Sequence, residues 1–184
     1  MYLVSLLVIA FFQANIMGLG DRNIKIIDGQ GYKPYPGATD FDSGPVIGEM
    51  LNAHFYPAVS AYNLGRYSEA IGNFTYVSKR ASYLNGNPRQ AEFVSTSFYL
   101  RGMIYLYHAQ GVGRHSLAKS DFEDAIKWNR NNYMAHLELS RVYSDLGFTD
   151  QAVAVVNRML TLQPPKDIVE EAQAELQKLR GSKD

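Results

Sequence analysis

The chain repeats itself at a spacing of 34 residues. SLAKSDFEDAIKWNRNN at 116–132 aligns without a gap on DQAVAVVNRMLTLQPPK at 150–166, setting Ala118 on Ala152, Phe122 on Val156, Ala125 on Met159 and Trp128 on Leu162. A third copy, RYSEAIGNFTYVSKR at 66–80, places Ala70, Phe74 and Val77 on the same register. A small residue, a larger apolar one four positions on and another three beyond that lie along one stripe of a helix. The small residue marks the point where a second helix comes close. That second helix is written ahead of each copy, in segments carrying Ala58 and Ala61, Gly102 and Tyr105, and Leu139, Ser140 and Tyr143. Gly65 and Gly147 follow the first and third of these segments, where a left-handed residue ends a helix at little cost. No segment alternates with period two, so the expected class is all-α. A repeat of this length means a stack of helical hairpins, each covering its neighbour's apolar face.

These residues resemble the tetratricopeptide repeat (TPR) family, a helix-turn-helix unit, with about three repeats over 51–166. The match is fullest at 133–166, which carries Leu139, Ser140, Tyr143, Gly147, Ala152, Met159 and Pro164 in order. The Sel1-like subtype is the alternative, suggested by QGVGRHSLA followed by Trp128. Three departures stand out. Pro57 falls inside the first helix and is expected to kink it, because its ring removes a backbone donor. Four residues more than the pattern allows separate Gly102 from Gly113, which predicts about one extra helical turn. The stretch 81–97 is also longer than a standard junction. The repeats are assigned to 46–164. Residues 165–184 are read as a capping helix, with Ile168, Val169, Ala172, Leu176 and Leu179 on its apolar stripe and Ala174 and Glu171 off it.

Two segments precede the repeats. Residues 1–20 are apolar from Tyr2 to Phe12 and uncharged until Asp21. A signal peptide, a membrane or interfacial anchor, a buried helix and a misplaced start codon all remain open, since basic residues ahead of the apolar run are missing and the run barely reaches a bilayer's thickness. Cleavage implies export to a periplasmic or extracellular location. A retained anchor followed by Arg22, Lys25 and Lys33 implies a body facing the cytoplasm. Residues 21–45 are rich in Gly and Pro and are expected to form an extended arm.

The chemistry that the sequence excludes is broad. Lys and Arg total 18 against 18 Asp and Glu, which gives no basic footprint for nucleic acid. The absence of cysteine removes thiolate metal sites, cysteine nucleophiles and disulfides. No nucleotide-binding, metallopeptidase or serine-hydrolase motif occurs. No cofactor is called for, and the chain is not expected to be an enzyme. His54 and His136 share one repeat position and are read as packing residues. His108 and His115 flank the Gly111–Gly113 turn, a weak geometry for a metal pair. Asp121, Glu123 and Asp124 are read as a solvated acidic helix face.

The family resemblance implies that the first helix of each unit lines a concave groove. By register, that groove would present Phe55, Tyr62, Tyr99, Met103, Tyr107, Leu137 and Arg141. In relatives that clamp the C-terminal carboxylate of heat-shock chaperones, lysine, asparagine and arginine stand at such positions. Here Phe55 and Val59 do, so that ligand class is not expected. An aromatic groove of mixed polarity suits an extended or helical peptide with apolar anchors. The expected function is a non-catalytic protein–protein interaction module, an accessory or scaffold subunit of a larger assembly that residues 1–20 bring to a membrane. Homo-oligomerisation stays open. The alternative is an enzyme-associated factor with a metal or small-ligand site near His108 and His115 or in the 21–45 arm. Deleting residues 1–20 should leave a soluble helical protein with a cooperative melt, checked by circular dichroism. Aggregation or loss of cooperativity would make the segment part of the core.

Overall fold

Seven α-helices make up the described part of the protein, which covers residues 50–81 and 88–181 of a computed structural model. A π-helical turn, Met50–Phe55, runs into α1 (Tyr56–Asn63). Then follow α2 (Tyr67–Arg80), α3 (Pro88–Tyr107), α4 (Arg114–Trp128), α5 (Tyr133–Asp145), α6 (Thr149–Leu160) and α7 (Lys166–Gly181). No strand occurs among the described residues. Successive helices pack as hairpins, α1 on α2, α3 on α4 and α5 on α6, and α7 closes the array against α5 and α6. The expected hydrophobic segment 1–20 and the arm 21–45 lie outside the described residues. Among those described, no helix is long and apolar enough to cross a membrane.

The repeat register holds position for position. Ala70, Ala118 and Ala152 are fully buried, as are Phe74, Phe122 and Val156, and Val77, Ala125 and Met159. Opposite them, Ala58, Gly102 and Ser140 are buried at equivalent places on α1, α3 and α5. The closest approach is at Gly102, where an added Cβ would sit 2.7 Å from the Phe122 ring. The capping helix follows its stripe, burying Ala172, Leu176 and Leu179 and leaving Ala174 exposed.

The helix ends are built alike. At the end of α1, Gly65 takes φ of +72° and donates to Tyr62 O at 3.0 Å, while Arg66 N reaches Ala61 O at 2.8 Å. At the end of α5, Gly147 takes φ of +80° with the same pair of bonds, to Ser144 O at 2.9 Å and from Phe148 N to Tyr143 O at 2.8 Å. This pairing satisfies the last carbonyls that the helix leaves without partners. At the start of α5, Asn132 accepts a hydrogen bond from Ala135 N at 3.1 Å and donates through Nδ2 to Ser95 Oγ at 2.9 Å. The cap is thereby tied to α3.

Pro57 stands inside a continuous helical run, in the first turn of α1, and the wider π-turn Met50–Phe55 directly ahead of it is a local departure from α-geometry next to the missing N–H. One sequence expectation needs correcting. The four extra residues before Gly113 do not lengthen α3 at its C-terminal end. Tyr107 ends α3 five residues after Gly102, as Asn63 and Asp145 end α1 and α5 five residues after Ala58 and Ser140. The insertion goes instead into the 108–113 loop and the start of α4, because Gly111 and Gly113 adopt φ of +107° and +100° and break the helical path. The longer 81–97 region feeds the N-terminal part of α3, whose Phe93, Val94, Ser95 and Ser97 are buried.

Glycine-to-alanine exchange should therefore have opposite signs at two helical sites. Gly102→Ala should destabilise by about 1–3 kcal/mol, since the buried Phe122 ring has little room to yield. Gly72→Ala, exposed within α2 with nothing near its added Cβ, should stabilise by about 0.5–1 kcal/mol. Urea denaturation of the two variants checks both.

Candidate functional site

The first helices of successive hairpins lie side by side, α3 touching α5 and α5 touching α7. Of the seven residues expected on their shared face, three are core. Tyr99 is 1% exposed, Leu137 is fully buried and Phe55 is also buried. Each stands three residues before the small contact residue of its helix, Gly102, Ser140 or Ala58. That spacing puts it on the packed side. Leu137 lies in a cluster with Val156, Met159, Ala172 and Leu176, and the Phe55 and Tyr99 rings lie 5.8 and 6.0 Å from Phe93 and Phe122. The remaining four keep contact with solvent: Tyr62, Met103 and Arg141 are half-buried, and Tyr107 is 50% exposed.

Two of the four, Arg141 and Tyr107, bind a group of carboxylates that sequence reasoning passed over. Arg141 Nη1 donates to Glu138 Oε1 at 2.5 Å and Nη2 to Glu171 Oε1 at 2.8 Å, while Nε stands 3.7 Å from Glu175 Oε2. Tyr107 Oη donates to the other oxygen of Glu138 at 2.5 Å. One guanidinium thus faces three carboxylates drawn from two helices. Glu171, expected to point outward, is a correction: α7 packs against α5 with this side chain turned to Arg141. The only sequence signals were Glu138 three residues before Arg141 and Glu171 four before Glu175, each pair on one helix face.

The electrostatics follow from burial. Desolvation raises the Glu138 carboxyl above its ordinary range, against the pull of Arg141 and Tyr107. Burial alone would lower the Arg141 guanidinium, but Glu138 and Glu171 hold it above its usual value. Burial, together with the nearby charge of Glu138, raises Tyr107, and it raises Tyr62 to about 12.

A second ion pair is structural. Arg101 on α3 donates through Nε and Nη2 to Asp121 at 2.8 and 2.6 Å, and through Nη1 to Thr75 and Ser78 at 2.9 Å each. The guanidinium joins α2, α3 and α4. Asp121 is therefore buried rather than part of a solvated face, because the Arg101 fork lies across its carboxylate. Glu123 remains exposed and accepts from Tyr143 Oη at 3.1 Å.

The histidines are not brought together. His108 stacks on Tyr67 with centroids 4.1 Å apart, whereas His115 Nε2 stands 3.7 Å from Asp145 on α5. His54 stacks on Tyr76 at 3.5 Å, and buried His136 bonds to Arg130 O at 3.0 Å, both in packing roles. Among the described residues, no three His, Asp or Glu side chains are grouped to hold a metal ion.

No family model matches the chain, nor does any curated protein sequence. Among solved structures, the chain is similar to the first TPR of Spaghetti (RPAP3), determined bound to the HSP90 peptide SRMEEVD. The TM-score is 0.52 at 21% identity, over 73% of this chain and 95% of that one. The chain has the tetratricopeptide-repeat fold. TTC0263, a thermophilic TPR protein of Thermus thermophilus, aligns at a TM-score of 0.40 and 21% identity over 68% of this chain and 78% of its own. The MamA protein aligns at 0.35 and 14%, over 73% and 88%. Within this TPR array, the carboxylate group sits where the last hairpin meets the cap.

An alkaline titration tests the burial of the tyrosine rim. Because the folded Tyr62 value lies near 12 and the ordinary value is 10.0, the folded state holds this proton more tightly than the unfolded chain. Its contribution to stability is complete below pH 10.0 and is lost between 10.0 and about 12. Urea stability should fall across that window, and Tyr62→Phe should flatten the fall.

Proposed function

We propose that this protein is a non-catalytic protein–protein interaction module, an accessory or scaffold subunit of a larger assembly. It takes a peptide or partner surface on the face lined by α1, α3, α5 and α7. The observation that carries the reading is the contrast on α3: Tyr99 is sealed in the core, while Tyr107 and Met103 keep exposed area on the same helix. Exposed aromatic and thioether side chains on a rigid helix supply contact area at low entropic cost. The peptide seated on the RPAP3 repeat supports the use of such a fold for peptide recognition, although that peptide is acidic and its contacts do not carry over to this chain. Residues 1–20 are proposed to place the module at a membrane or to direct its export.

The test separates binding from folding. Tyr107→Ala and Met103→Ala should each weaken capture of the native partner by about 1–2 kcal/mol; Met103→Ala should shift the melt little, whereas Tyr107→Ala should also lower it, because buried Glu138 loses a donor. Tyr99→Ala should instead cost about 3–5 kcal/mol of stability, as for a large buried ring. Partner capture from native membranes followed by calorimetry on the purified pair reads the first, and thermal melts read the second. Full binding by both Tyr107→Ala and Met103→Ala would remove this face as the docking surface.

A further inference from the structure

The group around Arg141 is unbalanced in charge. Glu138, Glu171 and Glu175 face a single guanidinium. By repeat register, no other lysine or arginine stands on the inner positions of α1, α3 or α5. Glu138 is satisfied on both oxygens, by Arg141 and Tyr107. Glu175 is not. Its side chain is 7% exposed, its Oε2 stands 3.7 Å from Arg141 Nε, and its Oε1 is buried without a hydrogen-bond donor. A buried carboxylate oxygen lacking a donor is costly, and a cationic donor is the group that would relieve it. The rim of the group reaches solvent above the buried Glu175: Arg141 is 27% exposed, Glu171 is 36% exposed, and the half-exposed Tyr107 on α3 is bonded to Glu138, the other partner of Arg141.

We infer that this face holds a subsite for a lysine or arginine side chain of the partner peptide, received by Glu171 and Glu175 beside Arg141. The Tyr107 ring flanks the aliphatic stem or the planar head of that side chain. The inference rests on the peptide-binding reading above and narrows it, since an acidic peptide would meet two surplus carboxylates on the same face. Charge complementarity of this sort fixes the register of a bound peptide as well as its sign.

Three acetylated dodecapeptides, identical in a leucine–alanine helical background except for arginine, norleucine or glutamate at the centre, serve as probes. Each is titrated into the full-length protein and followed by amide chemical shifts on α1, α3, α5 and α7. The arginine peptide should bind about tenfold more tightly than the norleucine peptide, and the glutamate peptide most weakly. Glu175→Gln should erase most of the arginine preference, read as the ratio of the norleucine to the arginine Kd. Glu171→Gln on the accessible rim provides the same readout if Glu175→Gln alters the melt. Equal binding of the arginine and norleucine peptides on this face would overturn the subsite and leave the docking surface standing. Tighter binding of the glutamate peptide would overturn it as well. Absence of shifts on these helices with every peptide would overturn both readings.

Discussion

How closely two helices of a hairpin can approach is the constraint on which this structure depends. At Gly102 there is no side chain between the α3 backbone and the Phe122 ring, and at Ala58 and Ser140 there is only a small one. Because the approach is close, the larger residues that follow at fixed spacing, such as Phe122 and Val156, are driven to zero exposure. A wider crossing would leave voids around each of them, and interiors are packed too densely for such voids to be free of cost. Hairpins formed this way have the same cross-section, so the apolar face of one matches the next and α7 can seal the last.

Two arginines show how the same side chain serves different ends. Arg101 spends its fork on Asp121, Thr75 and Ser78, and every partner is close. It fixes three helices in one geometry, and removing either charge would leave the other buried and unpaired. Arg141 is crowded by more carboxylate than it can match, and it remains in contact with solvent. The first arrangement is closed, whereas the second has an unmet demand for positive charge.

Much of the fold was legible in the sequence because it rests on short-range periodicity. The alignment of Ala118 on Ala152 and Phe122 on Val156 identified the buried stripe directly, and Ala172, Leu176 and Leu179 did the same for the cap. The inner face was harder to read. Residues 55, 99 and 137 pass as groove positions when a helix is considered alone, yet their spacing of three from the small contact residues marks them as core. Glu171 and Asp121 read as solvent-facing on their own helices, because their partners, Arg141 and Arg101, lie 30 and 20 residues away and no local pattern joins them. Pairing across helices is set by how the hairpins stack, which one sequence does not display.

The middle hairpin carries six loop residues where its neighbours carry three, and its first helix still ends in phase with theirs. Doubling a loop costs only about 0.6 kcal/mol in closure entropy. The tip at Gly111–Gly113, with Val112 fully exposed between two left-handed glycines, therefore acts as a hinge-free splice point in the array. Chain length can be added or withdrawn there without disturbing the pitch at which hairpins stack, so the rim of the solenoid is free to vary in sequence while its inner face and core remain bound to one geometry.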